Sequence, residues 1–233
     1  MSTHLVKNQK MTKRQIKEDS LVTAAFRATE IWERYGRNIL IGLGAVVLLG
    51  LLIFFVLRTR GQAEEKAKGE VFRAMVTLNQ GDFTTATPML KQIIDEAPGT
   101  KSARDAMLML GDSYAMQRNP KEASSWYQKY LEKARGDASL EFAGYTGLGT
   151  ALEDQGEFAK AADAYGESAK RGKTVNDRGI RMLSQARSLL RGGQNAKAIE
   201  VYKAVAALPG LESVSRETAR AHLGELEAAP AAP

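Results

Sequence analysis

The chain writes the same ten-residue frame four times. The copies begin at Gly81, Arg118, Gly156 and Gly193, at intervals of 37, 38 and 37 residues. They read GDFTTATPML, RNPKEASSWY, GEFAKAADAY and GQNAKAIEVY. The sixth place is always alanine: Ala86, Ala123, Ala161 and Ala198. The tenth is large: Leu90, Tyr127, Tyr165 and Tyr202. A fixed period of this size constrains the fold more than any compositional figure. Each copy is a supersecondary unit too small to bury its own apolar face, so the copies must stack.

The unit reads as a helical hairpin. Turn chemistry opens each frame, at Gly81-Asp82, Asn119-Pro120, Gly156 and Gly192-Gly193. The small sixth residue lets two helix backbones approach. The tenth lies one turn further on the same face and fills the space between hairpins. A second helical pattern precedes each turn, clearest in MLMLGDSYAM (107–116) and YTGLGTALED (145–154). Pro98 and Pro209 close the first and last hairpins.

Upstream lies a different element. Residues 39–57, ILIGLGAVVLLGLLIFFVL, contain no charge, and fifteen of the nineteen are Ile, Leu, Val or Phe. As a helix the run spans ~28 Å, close to the thickness of a bilayer's hydrocarbon core. It shows no polar face, which separates it from a buried helix of a soluble fold. No small-x-small pattern ends the run and 38 residues precede it, so it reads as a retained anchor. Trp32 and Tyr35 stand where interfacial aromatics are expected, and Gly42, Gly44 and Gly50 form no GxxxG motif. Residues 20–36 carry a helical apolar pattern after Ser20, as a short interfacial helix would.

Charge sets the expected orientation. The net +6 falls beside the apolar run: residues 1–38 carry +4, residues 58–78 carry +2, and residues 79–233 balance at zero. A nucleic-acid binder would hold its basic excess on the folded domain, whereas here it flanks a lipid-facing segment. Within twenty residues of the run the balance reverses, with five Lys/Arg after it and three before. The whole tail outweighs that count, because long domains cross largely regardless of charge. The expected layout is therefore a basic cytoplasmic tail (1–38), a transmembrane helix (39–57), a juxtamembrane connector (58–66), a repeat domain (67–227) and a disordered Ala-Pro tail (228–233).

Leu110-Gly111-x-x-Tyr114 followed by Ala123 and Tyr127 resembles the tetratricopeptide (TPR) consensus. So does Leu148-Gly149 followed by Gly156, Phe158, Ala161 and Tyr165. The period is longer than the family's ~34 residues, enough for about one extra helical turn per hairpin. The resemblance implies an all-α fold, a right-handed superhelix of about four hairpins closed by a capping helix near residues 213–227. The whole layout further resembles the ancillary SecYEG translocon subunit family of bacterial inner membranes. That resemblance implies a periplasmic adaptor contacting translocon subunits and chaperones. An assembly factor for envelope or cell-division complexes, or a cytoplasm-facing scaffold, are the alternatives.

Chemistry is not indicated. The chain has no cysteine, and its two histidines, His4 and His222, are far apart. That argues against thiolate and histidine metal sites and cysteine nucleophiles. GYTGLG (144–149) follows no strand, so its glycines read as close-packing positions. GDSYA (111–115) lacks the closing glycine of a nucleophile elbow. The adjacent acids Asp95-Glu96 and Glu153-Asp154 read as solvated or turn-capping charges, and His222 as an ordinary surface or cap residue. The expectation is a non-enzymatic protein without cofactor, metal, nucleic acid or small-molecule substrate, binding protein partners and a lipid bilayer. By alignment to the TPR family, a groove would be lined by Val71, Met75, Leu108, Asp112, Met116, Thr146, Thr150, Glu153, Leu183, Arg187 and Arg191. The Lys and Asn pairs of the carboxylate-clamp subclass are missing there. The mixture implies an amphipathic partner; the apolar members fit packing inside the superhelix equally well.

Overall fold

The computed structural model describes residues 13–228. The outermost part of the basic tail and the last five residues of the Ala-Pro tail lie outside the described residues. Nine α-helices and no strand are found among the described residues. The chain divides into two compact units, Met1–Thr59 and Arg60–Pro233.

Helix α1, Lys13–Asn79, contributes to both. In the first unit it carries the apolar run. Its large side chains from Ile39 to Leu57 are 38 to 69% exposed, unlike those of a buried core helix. By length and composition this stretch can cross a membrane, with a mean hydropathy of 3.1 in its most apolar window. Residues 20–36 and 58–66 are both helical within α1.

The second unit is the repeat array. Its hairpins are the end of α1 with α2 (Phe83–Glu96), α3 (Lys101–Met116) with α4 (Pro120–Ala134), α5 (Ala138–Asp154) with α6 (Phe158–Arg171), and α7 (Val175–Arg191) with α8 (Asn195–Ala206). Helix α9 (Ser213–Ala228) closes the stack. Side-chain caps start most of them: Asp82, Thr100, Asn119, Asp137 and Thr174 each accept a backbone N–H of the first turn. Thr174 and Asp177 form a full capping box.

The frame explains the packing. All four sixth-place alanines are fully buried, and Leu90, Tyr127, Tyr165 and Tyr202 are at most 3% exposed. One cluster joins Ala67 and Ala74 of α1 to Leu90, Ile93, Ala106 and Leu110. A second joins Tyr127, Leu148, Ala151 and Tyr165, and a third joins Ala186, Ala198, Tyr202, Val205 and Ala219 of α9. The glycines of GYTGLG are close-packing positions as expected. A Cβ on Gly147 would lie 2.4 Å from the Tyr127 ring, and one on Gly149 2.8 Å from the Tyr165 ring. On α9, His222 stacks on Tyr202 at 5.0 Å between ring centroids.

Candidate protein-binding groove

The first helices of the hairpins offer three rows of equivalent positions. They are Val71/Leu108/Thr146/Leu183, then Met75/Asp112/Thr150/Arg187, then Asn79/Met116/Asp154/Arg191. Steps of four residues keep the rows on one helix face. The groove residues expected from sequence fall on these rows except Glu153, which lies one position inward of the third.

The first row is largely structural. Val71, Leu108 and Leu183 pack against the three core clusters. Thr146 Oγ1 lies 2.8 Å from Ser168 Oγ, tying α5 to α6. This row thus lies partly buried at the hairpin interfaces.

The second row meets the tenth-place tyrosines. Each tyrosine stands fifteen residues after its row partner, across the hairpin turn. Tyr127 donates its hydroxyl to Asp112 Oδ1 at 2.6 Å. Tyr165 Oη lies 3.0 Å from Thr150 Oγ1 and donates to Glu153 Oε2 at 3.1 Å. Burial pushes both phenols above their ordinary pKa. Desolvation by the packed walls also raises the Asp112 carboxyl, against the lowering effect of the Tyr127 hydroxyl.

The expectation that Glu153 is solvated fails. It is 8% exposed, while its neighbour Asp154 is open to solvent. Adjacent helix residues point about 100° apart, so one of the pair turns inward. The buried carboxylate is answered by two cations from α7. Arg191 Nη1 lies 2.8 Å and Arg187 Nε 3.5 Å from Glu153 Oε1. The Arg191 guanidinium also lies 4.4 Å from the Phe158 ring centroid. Both guanidinium side chains remain about half exposed, at 56 and 51%. One carboxylate against two cations leaves the cluster a formal charge of +1. Thr150, Tyr165, Glu153 and Arg191 are thus joined by hydrogen bonds, with Arg187 added as an ion-pair partner of Glu153. Tyr165 was expected only as a space-filler. A phenol at a buried repeat position needs a polar partner, and that signal was available in the sequence. The other end of the rows is thioether-rich, with Met75 37% and Met116 70% exposed.

Stacked helical hairpins with such a lined face define a helical-repeat interaction scaffold. The tetratricopeptide repeat family profile matches residues 73–138 and 146–212, more than half of the chain. The chain belongs to the tetratricopeptide repeat family. Two solved structures share the fold: a Podosopora anserina protein described as a kinesin light chain with nearly identical TPR-like repeats, and a single-substitution variant of it. Each is 17% identical with a TM-score of 0.56, covering 70% of this chain and 85 or 86% of the other. No curated protein sequence matches the chain.

Proposed function

We propose that the chain is a single-pass, non-enzymatic TPR adaptor of a bacterial inner membrane. Residues 39–57 anchor it, the basic tail stays in the cytoplasm, and the array stands in the periplasm. There it holds protein partners beside the Sec translocon, together with periplasmic chaperones. The observation that carries this reading is the joining, in one chain, of an exposed apolar helical segment and a TPR array. The groove receives an amphipathic segment. Its apolar side chains meet Met75 and Met116, a basic group meets Asp112, and an acidic group meets the exposed heads of Arg187 and Arg191.

The absence of cysteine gives a clean test. A single cysteine is placed at Ser213, exposed at the start of α9, or at Ser2. Cells with a permeabilised outer envelope are treated with a membrane-impermeant maleimide. The expected result is labelling at 213 and protection at 2, followed by crosslinks from the array to translocon subunits. Labelling at 2 alone would put the array in the cytoplasm, as the local five-against-three count favours, and the translocon-adaptor reading would fall. Labelling at 213 without translocon crosslinks would leave the envelope or cell-division assembly factor in its place.

A further inference from the structure

Two interior hairpins, those of α3 and α5, show how one unit receives the next. On α3 the receiving face is Ala106, Met109 and Ser113 with the C-cap Gln117; on α5 it is Gly144, Gly147 and Ala151 with the C-cap Gln155. The second helix of the preceding hairpin lies on each. A Cβ on Gly144 would come within 2.7 Å of Leu131, and one on Gly147 within 2.4 Å of Tyr127. Ser113 and Ala151 are at most 1% exposed. Gln117 donates to Thr87 Oγ1 at 3.1 Å. Gln155 donates to the Pro120 carbonyl and the Ser124 hydroxyl, both at 3.0 Å.

The equivalent positions on helix α1 are Gly69, Phe72 and Val76, with Gln80 just past its end. Among the described residues no hairpin precedes it in the stack. Phe72 is 62% and Val76 37% exposed. The Gln80 side chain is exposed and makes no hydrogen bond among the described residues. Nothing lies within 4 Å of a Cβ built on Gly69. A glycine inside a helix weakens it, and here no contact within the chain requires one. The opposite end of the stack is closed, because Ala219, Leu223 and Leu226 of α9 cover the last hairpin.

We propose that this face of α1 receives an α-helix from another protein, laid on it as α2 lies on α3 and α4 on α5. The repeat register specifies the occupant's chemistry. Gly147 faces the large Tyr127, whereas the larger Met109 packs in the cluster of the smaller Leu90. Phe72 is larger still, so the occupant presents a small residue there. It sets a bulkier apolar residue over Gly69 and offers a hydroxyl or carbonyl to Gln80. A second copy of this chain does not fit. A parallel α1 pair opposes Glu65 to Glu65, Gly69 to Gly69 and Phe72 to Phe72. An antiparallel pair centred on Phe72 again sets the two rings against each other, where the pattern calls for a small residue. Phe72 borders the Met75 and Asn79 end of the rows, whereas Arg187 and Arg191 stand on α7, three hairpins further along.

The test uses the full chain in the membranes of cells that make it. Benzoyl-phenylalanine replaces Phe72, and Val214, 70% exposed on α9, serves as the reference position. Irradiation should give one predominant adduct at 72 with a protein other than this chain, its link mapping to a helical segment. Gly69→Leu should cut the yield about tenfold and Gln80→Ala severalfold, while Arg191→Ala in the groove leaves it unchanged. Gly69→Leu should not lower the melting temperature, since the site is open, and Gln80→Ala serves as an independent probe if it does. No adduct, an adduct with a second copy, a scatter of adducts, a link outside a helix, or a yield indifferent to both substitutions overturns the proposal. An adduct lost with Arg191→Ala would assign it to the groove, and overturns the proposal as well.

Discussion

Arg118 stands where the other three frames have glycine, and it adopts the same left-handed backbone. Its φ is 57°, beside 78°, 77° and 73° at Gly81, Gly156 and Gly193. All four turns close the same way, with the following N–H reaching back five residues, as Asn119 does to the Tyr114 carbonyl at 2.9 Å. A side chain in this region costs about 1–2 kcal/mol, part of which glycine gives back as unfolded-chain entropy. Arg118→Gly should therefore stabilise the array by about 0.5–1 kcal/mol. In urea unfolding of the full chain in detergent micelles, the midpoint should rise with an unchanged slope. An unmoved midpoint would mean that this turn carries no strain. Residues that recur four times were readable in the sequence, because repetition marks Ala86, Ala123, Ala161 and Ala198 as packing positions. Partners that join two helices were not. Nothing local to Tyr165 names Glu153, and only the folded hairpin brings the phenol and Arg191 to the same carboxylate.

Between elements, α5 and α6 are tied by Glu141 and Arg171, which form an ion pair 16% and 22% exposed at those two ends. Glu141 also accepts the Gly136 N–H at 3.0 Å, and the Arg171 guanidinium lies 4.6 Å from the Tyr145 ring centroid. The Arg171 hydrogen bond, helped by Gly136, holds the Glu141 carboxyl below its ordinary value of 4.5. A depressed carboxyl stabilises the fold above that ordinary value, and the contribution is lost as pH falls through the lower, folded one. Glu141→Gln should melt below the parent at pH 7, and the gap should close as pH falls below 4.5 and through the lower, folded value. A constant gap across that range would assign the loss to packing instead of charge. Element boundaries within the array were readable because glycine, proline and capping residues punctuate every hairpin. The stretch RTRGQAEEK reads as a connector, yet it is helical within α1. Arg, Gln, Ala, Glu and Lys are strong helix formers, and the single Gly61 costs only about 1 kcal/mol against them.

At the scale of the whole array, each hairpin touches its neighbours and little else, so stability is a sum of units and interfaces. The C-terminal end then depends on α9. Ala219, Leu223 and Leu226 lie over Tyr202 and Val205, and His222 stacks on the Tyr202 ring. Ending the chain after Glu212 would uncover those residues at a cost on the order of 3 kcal/mol of lost apolar burial. In a stack coupled only through neighbours, that loss falls first on the adjoining hairpin. Native-state hydrogen exchange of the shortened chain should show α7 and α8 losing protection while α3 to α6 keep most of theirs. Loss of protection spread evenly from α3 to α8 would mean that the array folds as one cooperative body. In the expected case the Arg187–Arg191 pair, carried on α7, loosens with its hairpin and releases Glu153, whereas Asp112 and Tyr127 stay in place. The capping helix would then govern the order of the Arg187–Glu153–Arg191 cluster from the far side of the last hairpin.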